Sequence, residues 1–517
     1  MLYWPACWPC RLRSCRGARK LNPFLSSRHQ YIPGFSWVGK YWTVLAMPLP
    51  RAVLGQLDKY LQALPADGLA ALLGKVERAQ ALGEIDSGDG VLILSTARQL
   101  ALAGKLPMAS VYSAKRLFLE PIIPFIRRAS QAQKQHARID AGSPDRIIEW
   151  LERDLKPAFF SDLFVAADRF LGQGKLEKAH EMVAAARVVA VRAIRKRLAD
   201  ADSDEQMERR LRAQLGGGTA LDDARDCADV FADAEAMAAL ADGFPAIIEE
   251  LDEGKQIRCL SALNHYVHGR PQMLAYGVAL LMHRLARPEQ IIRLSKRMAG
   301  SDLASALEAH PFGVAGELIV YDVERLAEAI VERVEATGDY GKLHALLQKY
   351  YALAHGLRVE TELTPRDAWA RRLAVARAGL SDRLGVAIAR APGLLRAVFR
   401  SVRAEILETP DPVDVANADS AIHLLEDARA LLAELALNDL VSRVRSEVEA
   451  TLDLFCDQLI ERLRTCTPRE QDKAIGLVEA AARYVQRMSG AEQARLFQRS
   501  AASALSFNHK PQKSAAS

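Results

Sequence analysis

Beyond its first 46 residues this chain is short of aromatic residues, strand signals, long apolar runs and net charge. Each shortage excludes something. Aromatics are 6% of the 517 residues, and four of the six tryptophans (Trp4, Trp8, Trp37, Trp42) sit in residues 1–46. The remaining chain must build its core from Ala and Leu, both good helix formers. Outside that leader no Val/Ile/Thr/Tyr alternation is bounded by turn residues. Val91-Leu92-Ile93-Leu94 and Leu318-Ile319-Val320-Tyr321 come nearest, but each lies within a longer period-3.6 pattern and is predicted helical. No uncharged apolar run reaches the ~18 residues that span a bilayer. The longest, Pro271 to Met282, is predicted to be a buried helix, and no transmembrane segment is expected.

Acidic residues are missing from the first stretch of the chain. Residues 1–46 hold seven Lys or Arg and no carboxylate; the first is Asp58. The formal charge of +5 belongs to that leader, because 69 − 7 leaves 62 basic against 64 acidic residues, a charge of −2. A nucleic-acid partner is therefore not expected. The leader also holds Cys7, Cys10 and Cys15. Cys7-Trp8-Pro9-Cys10 has C-x-x-C spacing, but neither a preceding strand nor a fourth ligand beyond His29 accompanies it. Three readings of the leader compete. It resembles an acid-free, Arg-rich transit peptide interrupted by Pro5, Pro9, Pro23 and Pro33. Trp42 to Leu49 would be a late and short secretory core. The reading favoured here is an over-long start, with Met47 as the first residue and the leader disordered.

The four body cysteines, Cys227, Cys259, Cys456 and Cys466, are widely spaced in apolar helical contexts. They read as small buried hydrophobes in a reducing, cytoplasmic setting.

What the body does contain is helix punctuation. Ser143-Pro144-Asp145, Thr364-Pro365-Arg366-Asp367 and Thr467-Pro468-Arg469-Glu470 each place a hydroxyl residue before a proline suited to a first helical turn. In the last, Glu470 can return a hydrogen bond to the cap. Ser489-Gly490-Ala491-Glu492 is a further start. About sixteen to eighteen helices are expected. From Lys175 to Leu215 an apolar stripe fades after Ala199, so Asp200 to Arg210 is either a projecting helix end or a solvated break. Gly216-Gly217-Gly218 follows as the expected domain joint. Val413 to Thr467 lacks Gly and Pro. Its stripe changes register near Leu437-Asn438-Asp439, which predicts a helical hairpin. The domains expected are 47–215, 219–410 and 411–505, with a disordered tail over 506–517.

Phe170 to Ala179, with Gly172 and Gly174 ahead of Ala179, resembles a tetratricopeptide-like helix–helix turn. Thr337 to Leu343 is similar, and Glu253 to Ile257 resembles it too. The spacings are not multiples of about 34 residues, and that family's Trp, Leu, Gly, Tyr and terminal Pro positions are missing. The resemblance implies an all-α fold of stacked antiparallel helical hairpins, as a bundle or an irregular α-solenoid.

Chemistry is sparse. Cys259, His265, His268 and His283 form the richest constellation, yet no carboxylate or paired-cysteine motif joins them, and a helix-end histidine pair is expected at His265 and His268. Glu177-Lys178-Ala179-His180 is half of a di-iron motif without its second copy. Asp222, Asp226, Asp229 and Asp233 fall at helical spacing and read as a solvated or interaction face. Gly172 to Lys175 lacks phosphate-loop spacing, and no nucleophile-elbow or kinase signature occurs. No catalytic, cofactor-binding or metal-binding residue is assigned, and no cofactor is expected.

The expected function is a helical scaffold or adaptor that binds a protein partner, with homo-oligomerisation open. One alternative is a regulatory module that binds a small ligand or carries a phosphohistidine at His180, His265 or His423. A second is an enzyme whose all-helical site is dispersed along the chain.

Overall fold

The computed structural model describes residues 51–81, 87–103, 105–106, 111–127, 134–245, 247–336, 340–430 and 435–508. The leader, its cysteines and the 337–339 part of one glycine turn lie outside them. The described chain is 82% helical, so the all-α expectation holds.

The first half runs α1 (Arg51–Ala63), α2 (Ala66–Ala81), α3 (Ser87–Leu102), α4 (Ala114–Leu119), α5 (Ser143–Trp150), α6 (Pro157–Gly172), α7 (Leu176–Ser203) and α8 (Glu205–Gln214). It continues with α9 (Ala220–Ala232), α10 (Ala234–Asp242), α11 (Glu253–Val267) and α12 (Leu274–Arg284). The second half comprises α13 (Ile292–Ala299), α14 (Ala304–Ala309), α15 (Val314–Ala336), α16 (Tyr340–Glu360), α17 (Ala368–Ala389) and α18 (Ala391–Val398). Then come α19 (Pro412–Ala430), α20 (Asn438–Thr465), α21 (Gln471–Ser489) and α22 (Ala491–Asn508). There are more segments than the periodicity suggests, because stretches that read as continuous break at points such as Asp204 and Asp233.

Both short Val/Leu/Ile runs lie in helices, within α3 and α15. The strand pairing among the described residues is a two-residue parallel one, β1 (Ile126–Arg127) with β2 (Ile139–Asp140), outside every sequence expectation.

Pro271–Met273 forms a 3-10 turn, and every residue from Leu274 to Met282 is buried. The sharp change predicted near Leu437 is present, with α20 beginning at Asn438. Its stripe Val441, Val444, Val448, Leu452, Phe455, Leu459, Leu463 is buried throughout. The alternating three- and four-residue spacing keeps one face of a helix inward, and α20 packs that face against α18, α21 and α22. At the C-terminus, α22 continues to Asn508, three residues into the expected tail, with Leu505 packed against the core.

The break in the charged stretch is Asp204, in extended backbone (φ −143°), whose carboxylate accepts the Gln206 N–H at 2.9 Å and so caps α8. Gly216, Gly217 and Gly218 all take positive φ (86°, 76° and 58°), a conformation that glycine adopts without Cβ strain. Across this turn α9 returns to pack on α7.

The start signals resolve differently in detail. Thr467 keeps its predicted partner, since Glu470 Oε2 accepts from its backbone N and from its Oγ1, both at 3.0 Å. None of Ser143, Thr364 and Thr467 is itself the cap, since Gly142, Asp367 and Glu470 precede α5, α17 and α21. Asp367 is the residue before α17 and binds Thr364 N at 2.5 Å, while the Ser143 hydroxyl turns inward. Asp252 caps α11 through the Lys255 N–H, so the Glu253-Gly254 glycine lies inside a helix and not in a turn between two.

Candidate functional site

The densest polar constellation among the described residues lies where the 134–143 segment meets α9, α12 and α15. The four cysteines among the described residues, Cys227, Cys259, Cys456 and Cys466, form no disulfide there. All are free and buried, as read from sequence.

Asp223 is fully buried and acts as a hub. Its Oδ2 accepts from Ser143 Oγ at 2.6 Å, Thr219 Oγ1 at 3.0 Å and Asp140 N at 3.2 Å. Its Oδ1 pairs with Lys134 Nζ, which also donates to the Arg138 carbonyl. One turn on, Asp226 pairs with Lys134 at 2.7 Å, accepts the Tyr276 hydroxyl at 2.9 Å and stands 3.2 Å from His136 Nδ1. The His136 ring meets Tyr276 edge-on at 4.7 Å.

The second lobe is a guanidinium fork. Arg138, 0% exposed at its side chain, donates Nε to Asp322 Oδ1 at 2.9 Å and Nη2 to Asp322 Oδ2 at 2.8 Å. Arg127 Nε lies 3.6 Å from the same carboxylate. Such bidentate, desolvated pairs are the strong form of charge-assisted hydrogen bond.

The electrostatics follow from these contacts. Burial pushes the Lys134 ammonium toward neutrality, but Asp226 and Asp223 outweigh it and its pKa is raised. Burial likewise opposes the charge on Asp226, yet the hydrogen bond from His136 and the charge of Lys134 hold its pKa below the usual carboxylate value. The bond to Asp226 raises His136 against desolvation. Burial, then the charge of Arg138, lowers Arg127 to about 10. The site is therefore an array of opposite charges from segments far apart in sequence, and it holds those segments together.

The acidic stripe is solvated only in part: the side chains of Asp222 and Asp229 are 37% and 41% exposed. Asp222 bonds Arg225 at 2.7 Å, Asp226 is buried, Asp229 bonds Arg195 at 2.9 Å, and Asp233 accepts Tyr266 OH at 2.6 Å and pairs with Arg270. Helical spacing identified the face correctly, but not Lys134, Arg195 and Arg270, the cations from other segments that pair with Asp226, Asp229 and Asp233; Arg225, the partner of Asp222, belongs to α9 itself. Asp223, the residue of most consequence, falls outside the stripe.

Cys259, His265, His268 and His283 do not converge. Cys259 is buried in α11, where burial raises its thiol to about 11. His265 and His268 are exposed at the end of that helix, as expected. His283 is the penultimate residue of α12. Desolvation, followed by the charges of Arg127, Arg284 and Arg138, holds it below the ordinary imidazole value. No three His, Cys, Asp or Glu side chains among the described residues form a metal-sized group. His180 is half-buried near Glu120 and Arg187, and burial lowers its pKa. His423 Nδ1 lies 2.6 Å from the Asp419 carbonyl. Nearby, His344 Nδ1 stands 2.7 Å from Asp427, whose carboxyl burial raises to about 6.

A second feature opens to solvent. Between α18 with its following turn (Arg400–Arg403) and α20 lies a concavity of about 400 Å³. Phe399 and Phe455 form its floor, their centroids 5.2 Å apart, and Leu454 stands beside them 46% exposed. Arg396, Arg400 and Arg403 form one rim. Arg396 pairs with Glu447, and Arg400 lies 3.5 Å from Asp414. Arg403 donates to the neutral Gln458 at 3.0 Å and stacks over Phe455 at 5.4 Å. Sequence reading missed this rim because α18 and α20 are separated by a whole helix.

No protein-family model, curated protein or solved structure matches the chain. No helix among the described residues is long and apolar enough to cross a membrane.

Proposed function

We propose that the chain is a helical scaffold or adaptor that binds a protein partner on its C-terminal half. The supporting observation is the open concavity on α20, where a half-exposed leucine and two aromatic rings lie within an arginine rim. An apolar floor with a polar border is the usual anatomy of a protein interface, and Arg and aromatic residues are enriched in such surfaces.

The experiment is purification of the tagged chain from its native host, alongside a Leu454→Asp variant. The reading expects one stoichiometric partner with the wild type and its loss with the variant, while the helical circular dichroism of the two is identical. An unchanged complex with the variant would remove the concavity from the interface. Absence of any stoichiometric partner would remove the adaptor reading itself.

A further inference from the structure

We draw no further inference here: the strongest candidate, an oxyanion site at the guanidinium cluster of Arg127, Arg138 and Arg284 around Asp322, where the buried Arg138 Nη1 has no hydrogen-bond partner among the described residues, belongs to the charged site already described, in which Asp140, Asp223, Asp226 and Asp322 answer Arg127, Lys134, Arg138 and Arg284 one for one and leave no net charge to select an anion.

Discussion

Arg138 and Asp322, 184 residues apart in the chain, meet through two parallel hydrogen bonds of 2.9 and 2.8 Å in a site from which the Arg138 side chain is wholly excluded from water. The pair joins the 134–143 segment to α15, and α15 is in turn packed along α16 and α17. Removing one charge leaves the other desolvated and unanswered, a situation that costs about 3–5 kcal/mol. Asp322→Asn is expected to lower the unfolding free energy obtained from denaturant melts by that order. An Arg138→Leu/Asp322→Leu double variant should lose much less than the two single changes added together. Additive losses in a double-mutant cycle would show that the two groups do not act as a pair.

His136 should give stability a pH dependence of definite sign. Its folded pKa is raised above the unfolded value by Asp226. Its contribution is therefore complete below the unfolded pKa of about 6.5 and is lost as pH rises through the folded value. Thermal midpoints recorded from about pH 6 to pH 8.5 should fall more for the wild type than for His136→Gln. Parallel curves would dissociate His136 from the cluster's energetics.

Gly316 lies against the six-membered ring of Trp369. A Cβ built on it would stand 2.2 Å from the ring, and Trp369 cannot retreat, because its indole N–H donates to Glu317 at 2.6 Å and its backbone N–H to Glu308 at 2.8 Å. Gly316→Ala should destabilise by about 1–3 kcal/mol or more through overpacking. Combining it with Trp369→Leu should recover part of that loss. Equal stability of Gly316→Ala and wild type in denaturant melts would mean that α15 and α17 are not in close contact there.

Limited proteolysis should cut first around Asp204 to Glu208. Helix α7 ends there and its neighbours are exposed, whereas Leu211 and Leu215 just beyond are buried. Local opening that exposes little apolar surface is the least costly kind. Amino-terminal sequencing of the first fragment checks it, and a first cut inside the buried stripe of α20 would contradict it.

What could be read from the sequence was local. The stripe from Val441 to Leu463, the break before Asn438, the buried cysteines and the Glu470 return bond all depend on residues within a few positions of one another. The sites that matter most depend on distance. Nothing near Asp223 announces that Lys134, 89 residues earlier, will neutralise it, and Asp226 looked like the outer face of an amphipathic helix. Periodicity tells which side of a helix is polar; it does not tell whether water or another chain segment answers that polarity. The arginine rim was hidden for the same reason, since its floor and its edge come from helices on either side of α19.

Tryptophan has left the body two optical reporters. Beyond the leader, Trp150 and Trp369 are the only indoles in the sequence, and they are 1% and 0% exposed. Trp150 ends α5, directly after the charged cluster, while Trp369 is wedged against α15. A chain starting at Met47 would thus carry one blue-shifted emitter on each side of the Arg138–Asp322 fork. Two variants, each keeping a single indole, would report the melting of the two regions separately. Coincident red shifts would make the fork a mechanical coupling between them, and staggered shifts would show which region gives way first.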